Sequence, residues 1–187
     1  MGYNLKDVFY LGNDQEYTDA YTASEDSIQP IDVSAYVQPI SKGRGTKGVG
    51  LAVYRVSCSI CTDSGTPPLA AETASFTVGL SVKPFTVTGE RISGTLSGAD
   101  LRPDSDLLIY GTQFIGIASG EGSPNDKPPF LTPTIEVPYV VVRDTIYQVM
   151  SANVAFNADI HAGFRMECAM ITLDTATLNQ LLRTQTA

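Results

Sequence analysis

Three kinds of side chain in this 187-residue sequence could do chemistry: thiols, one imidazole and clustered carboxylates. Cys58-Ser-Ile-Cys61 has the spacing of half a zinc site or of a redox pair. A zinc ribbon needs a second ligand pair at short spacing, and the remaining cysteine is the distant Cys168. A redox pair needs a helix N-terminus to lower the thiol pKa, whereas the residues that follow, Thr-Asp-Ser-Gly-Thr-Pro-Pro, read as a loop. Residues three apart on a strand also point to opposite faces. The reading is a core Cys58, a loop-edge Cys61, and no metal on Cys58, Cys61 or Cys168.

His161 is the one histidine, which excludes a zinc held by three of them. Ser-His-Asp catalysis would need it beside a serine and an acid. No G-x-S-x-G elbow occurs, and Gly116-Ile-Ala-Ser119-Gly120 has the wrong spacing. Within His161-Ala-Gly163 it is expected as an exposed residue of a short hairpin link. Asp100, Asp104 and Asp106 form the densest carboxylate cluster. Such a loop could hold Ca²⁺, but the EF-hand glycine and terminal glutamate are absent. Aspartate also favours turns in its own right, by accepting backbone N–H bonds, and a plain turn is the reading. The stretch Ser41-Lys-Gly-Arg-Gly-Thr-Lys-Gly48 has the wrong order of Gly and Lys for a phosphate loop, and a strand rather than a helix follows. The sequence therefore points to a protein that is not an enzyme, with no catalytic residue, cofactor or metal.

The elements available to position such groups are strands. Ile31, Val33, Ala35 and Val37 alternate with polar residues between Pro30 and Pro39. Ala52, Tyr54, Val56, Cys58 and Ile60 share one face of the next run, and Phe76, Val78, Leu80 and Val82 one face of another. Phe85 with Val87 and Ile92 with Leu96 read as two short strands parted by Gly89. Leu107 to Ala118 is apolar on both sides, as in a central strand. Ile135 to Val142 is too, with Pro138 demoting it to an edge or bulge. Ala152, Val154, Phe156, Ala158 and Ile160, then Phe164, Met166, Cys168 and Met170, give the cleanest alternations. The predicted core includes Phe76, Val78, Val154, Phe156, Phe164 and Met166. The one convincing helix starts at about Asp174, an N-cap, with Leu173 and Leu178 as a hydrophobic staple. About eight short strands and one late helix predict an all-β, antiparallel β-sandwich of jelly-roll type. Residues 31–187 would form that domain, and residues 1–30 an extended N-terminal arm.

Net charge is −8 and unevenly placed: residues 1–32 carry seven acids against Lys6 alone. An acidic chain is a poor partner for nucleic acid or an anionic membrane, both of which need clustered Lys and Arg. No apolar run reaches the roughly 18 residues of a membrane span. The N-terminus lacks the apolar stretch of a secretory signal, and Lys6 stands where a myristoylation pattern wants Ser or Thr.

The layout resembles the single jelly-roll coat proteins of tailless icosahedral viruses. The resemblance is carried by the arm of about 30 residues, the basic Gly-rich loop Lys42-Gly-Arg44-Gly-Thr-Lys47-Gly and the all-β body. It implies a structural virion protein (capsid, coat or decoration) that assembles with copies of itself and with other virion proteins, into a virion put together in a host cytoplasm. Many such arms are basic and meet the genome; this one is acidic, which points to protein–protein roles instead. Opposite charge on arm and loop suggests Lys42, Arg44, Lys47, Tyr17 and Tyr21 as assembly contacts. A carbohydrate-binding sandwich is the alternative, although such platforms usually stack sugars on Trp, which is absent. A small-molecule ligand is not expected.

Overall fold

Strands that alternate strictly can only bury one face each, so they must meet in pairs of sheets. In the computed structural model, which describes residues 8–17, 26–38, 47–66, 74–83, 107–116, 125–126, 129, 131–152 and 158–186, they do. The strands are β1 (Phe9–Tyr17), β2 (Asp26–Asp32), β3 (Lys47–Thr62), β4 (Ala74–Ser81), β5 (Leu108–Gly116), β6 (Asn125–Asp126), β7 (Tyr139–Val141), β8 (Thr145–Ala152) and β9 (Ile160–Asp174). A helix, α1 (Thr175–Thr186), ends the chain. One sheet has the order β1-β9-β3-β7 and the other β2-β8-β4-β5-β6, every pair antiparallel. With the two-residue β6 set aside, this is the eight-strand double Greek key of a jelly roll.

The core fills the space between the sheets. Val53, Phe76, Val78, Leu80, Ile146, Met150, Ile160, Met166 and Cys168 are fully buried there. Tyr110 meets Phe164 edge to face at 5.6 Å between ring centroids. Of the predicted core, Phe76, Val78, Phe164 and Met166 are buried; Val154 and Phe156 lie outside the described residues. The same is true of the strands expected at Phe85–Val87 and Ile92–Leu96 and of Asp100, Asp104 and Asp106.

Several expectations need correction. Residues 9–17 and 26–30, expected within an N-terminal arm, are strands of the sandwich: β1 pairs with β9 and β2 with β8. The aromatic rings explain it, since Tyr17 is buried edge to face on Phe76 at 5.2 Å and Phe9 stacks on Tyr36 at 4.7 Å. The strand expected at residues 31–37 ends at Asp32 instead. Its carboxylate accepts the Ser34 N–H at 2.8 Å and turns the chain into a single 3₁₀ turn, Ser34–Tyr36. That bond also holds the Asp32 carboxyl below its ordinary pKa.

Ala52 and Tyr54 do not share a face with Val56. The pairing of β3 with β9 slips between Val53 and Arg55, which oppose the consecutive residues Cys168 and Glu167, so Tyr54 is one extra residue in β3. Before it Leu51 and Val53 face the core; after it Val56, Cys58 and Ile60 do. Ala52 and Tyr54 pack on the outer face with Ala169. Met170, expected to be buried with Phe164, is 54% exposed, because it lies beyond the point where β1 begins to flank β9 at Cys168.

The helix begins as its cap demands. Asp174 accepts the Thr177 N–H at 2.8 Å and the Thr177 hydroxyl at 3.1 Å. Leu173 and Leu178 are buried together across that cap, with Leu181 and Leu182 beside them. Gly48 and Gly50 make room for the helix, since a Cβ at Gly48 would stand 2.6 Å from Leu178 Cδ2. Gln185 donates to the Val140 carbonyl at 2.7 Å and accepts the Val142 N–H at 3.1 Å, fastening α1 to β7.

Candidate functional site

The alternation of β1, β9 and β3 sets one row of side chains outward on the four-stranded sheet. Across the three strands the register aligns Tyr10, Glu167 and Arg55; Gly12, Arg165 and Ser57; Asp14, Gly163 and Ser59; and Glu16, His161 and Cys61. Gly12, Ser57, Ser59 and Gly163 are small, so the middle of this face is a shallow trough of about 530 Å³. Arg165 lies at one end, its guanidinium 3.9 Å above the Tyr10 ring.

The other end holds the lone imidazole. His161 is not in a turn; it is the second residue of β9, with 29% of its side chain exposed. The hairpin expectation fails because the pairing of β9 with β1 and β3 runs through His161 to Ile160. Its Nδ1 is 3.4 Å from Asp14 Oδ2 and its Nε2 2.5 Å from Asp63 Oδ1. Asp14 comes from β1. Asp63 comes from the turn after β3, where Gly65 takes a φ of +73° and the hydroxyls of Thr62, Ser64 and Thr66 bond one another. The Asp63 hydrogen bond, opposed by partial burial and aided by Asp14 and both negative charges, raises the His161 pKa above 6.5.

Cys61 stands directly across from His161 in the register, the neighbour a thiol nucleophile would need. Yet both ring nitrogens already face carboxylates, and neither is left to take a thiol proton. Cys58 is half-buried beside the core, and Cys168 is packed inside it, where burial pushes its thiol up to about 12. Among the described residues no group of three or more His, Cys, Asp and Glu side chains is placed to hold a metal ion.

Of the expected assembly contacts, two lie among the described residues. Tyr17 is in the core and cannot be one in the folded chain. Lys47 is exposed at the start of β3, paired in register with Asp174. Lys42, Arg44 and Tyr21 lie outside the described residues. The link between Asp14 and His161, 147 residues apart, had no local signal and is set by the pairing of the first strand with the last.

No protein-family profile matches the sequence, and no curated protein matches it. Among solved structures the chain is similar to human polyomavirus 12 VP1, determined in complex with 3'-sialyllactosamine. The match covers 90% of this chain and 100% of that one, at 9% sequence identity and a TM-score of 0.46. No helix among the described residues is long and apolar enough to cross a membrane.

Proposed function

We propose that this chain is a structural subunit of a virion, in a capsid, coat or decoration position, that assembles with copies of itself. The observation that carries the reading is the strand order, because eight strands wound as a double Greek key recur in viral capsid and lectin domains. The step from fold to role is one of analogy, since one fold hosts many functions. The described side chains favour the first of the two classes. A carbohydrate-binding sandwich needs an exposed aromatic platform. Among the described tyrosines Tyr10 alone is exposed, at 55%, and Arg165 covers its ring. Ile135 and Val137, 61% and 74% exposed together on the loop before β7, are apolar side chains that a neighbouring copy would cover.

In this reading the acidic N-terminal segment of one copy meets Lys42, Arg44 and Lys47 of another, with Tyr21 adding apolar area, and the finished particle forms in the host cytoplasm. Exposed ion pairs contribute only about 0–1 kcal/mol each, so the charges chiefly select partner and register. The purified chain, sized by light scattering and electron microscopy, forms large uniform particles. A chain with Lys42, Arg44 and Lys47 changed to Glu stays folded and does not. A full-length protein that remains monomeric at every concentration, and binds a glycan array, reverses the choice in favour of the carbohydrate-binding module.

A further inference from the structure

A neutral imidazole has one N–H donor and one bare acceptor nitrogen, and a carboxylate can only accept. His161 places a carboxylate oxygen at each ring nitrogen, Asp14 at Nδ1 and Asp63 at Nε2. Both contacts are hydrogen bonds only when both nitrogens carry protons, that is, when the ring is the imidazolium. In the neutral ring one contact becomes lone pair against lone pair. The three groups sit on three separate pieces of the fold: Asp14 on the edge strand β1, His161 on β9, and Asp63 in the turn after β3.

We propose that His161 is a pH-sensitive latch: charged, it draws the end of the edge strand β1 and the turn after β3 onto β9, and on losing its charge it lets both loosen. Among the described residues, the groups that face it are of one sign or neutral. They are Asp14 and Glu16 from β1, Cys61 from β3, Asp63 beyond it, and Asp159 two residues before it on its own strand's approach. The nearest described cation on this face, Arg165, is four residues along β9 and engaged with Tyr10. The latch has mechanical meaning because, among the described residues, β1 is the edge strand of its sheet and pairs backbone to backbone with β9 alone.

The sign follows from the raised pKa of the folded state. The attachment is complete below 6.5, the ordinary value, and is lost as pH rises through the higher value of the latched ring. The two arms differ in reach, Asp63 being at 2.5 Å and Asp14 at 3.4 Å, so the turn loosens more than the strand.

The test is quantitative. As the sole histidine, His161 gives one unambiguous Cε1–H resonance, whose titration is followed by NMR in the full chain and in Asp14→Asn and Asp63→Asn. Hydrogen exchange of residues 13–17 and 62–66 is measured across the same pH range and divided by the intrinsic rate. Linkage requires protection to fall roughly tenfold for each unit by which the relevant aspartate raises the histidine. The fall in 13–17 should match the shift lost in Asp14→Asn, and the fall in 62–66 that lost in Asp63→Asn. His161→Gln should abolish both. Protection in these segments that does not change through the titration, or changes equally in His161→Gln, overturns the latch. If the glutamine variant does not fold, Asp63→Asn decides: an undiminished fall in 62–66 in that variant overturns it equally.

Discussion

The outer face of the four-stranded sheet has two ends made of equally small residues and put to opposite uses. At one end Gly48 and Gly50 lie beneath α1 and its cap, where a Cβ at Gly48 would meet Leu178 Cδ2 of the helix at 2.6 Å and one at Gly50 would meet Leu173 Cδ1 of β9 at 2.9 Å. At the other, Gly12, Gly163, Ser57 and Ser59 have no described element over them and leave a trough between Arg165 and His161. Between the two lies the extra residue, Tyr54. Along β9 the alternation never changes phase: even positions face the core as far as Cys168 and odd ones face out. What changes is the cover. The opposing sheet covers the inner face at the His161 end, and the helix covers the outer face at the other. Small residues on a strand thus mean close approach where the chain supplies a capped amphipathic helix, and a groove where it does not.

Breaking the phase of β3 should have the largest effect. Deleting Ser57 either turns Cys58 and Ile60 outward or draws the spare Tyr54 into the ladder, which sets Arg55 on the core face and Val56 outside. A buried unpaired charge or the loss of two core side chains costs several kcal/mol, a large part of the about 5–15 kcal/mol of a typical domain. Deleting Tyr54 should be far milder, because Val53 and Arg55 already oppose the consecutive residues Cys168 and Glu167 and the alternation then runs on unbroken. Equal losses in denaturant unfolding for the two deletions would mean that Tyr54 is not the spare residue between the two ends.

Matched glycine substitutions sharpen the contrast at smaller scale. Gly50→Ala meets Leu173 at 2.9 Å and the Val141 carbonyl at 3.1 Å, so overpacking should cost about 1–3 kcal/mol in denaturant unfolding. At Gly163 a Cβ would find Asp14 Oδ1 and Ser59 Oγ at 3.4 Å, an ordinary contact, and the change should stay within about 0.5 kcal/mol. Equal costs at the two sites would erase the distinction between covered and open ends.

The mildest change is at the helix cap. Asp174→Ala removes the acceptor for the Thr177 N–H and should lower the helical signal near 222 nm while leaving the sheets intact. The same bond holds the Asp174 carboxyl below its ordinary 3.8. Its benefit is therefore present above that value and fades as pH falls through the depressed one. A helical signal that ignores both the substitution and acid would show that packing alone starts α1.

How far the sequence could be read depends on what each strand buries. Phe76–Val82 and Phe164–Cys168 bury only apolar or neutral side chains on their core face, and their alternation is plain. The Asp174 cap and its leucine staple were legible because capping is local chemistry. The strands β1, β2 and β8 were not found within their true limits, and each turns a polar side chain inward. Asn13 of β1 donates to Gln29 of β2 at 3.1 Å and to Gln148 of β8 at 2.6 Å, and Gln148 donates to the Ala162 carbonyl of β9 at 2.9 Å. Gln148 is fully buried. These amides tie the two sheets together where β1 and β2 meet, and by interrupting the apolar rhythm they hide the strands that carry them. The His161 cluster was hidden for a different reason, since its partners lie 147 and 98 residues away.

The pairing of β1 with β9 also sets a clock. Phe9 finds its partner in Cys168, 159 positions later (168 − 9), so on a ribosome adding about 5–20 residues per second the first strand waits roughly 8–30 s for the last to emerge. β2 waits almost as long for β8. Throughout that interval Phe9, Leu11 and Tyr17 have no sheet to cover them, and the nascent chain presents an unpaired strand to whatever is nearby. Where several ribosomes translate one message, the nearest newly finished β9 belongs to another copy. Exchange of first strands between siblings is therefore a hazard at birth that chaperone capture, or rapid completion of the chain, has to outrun.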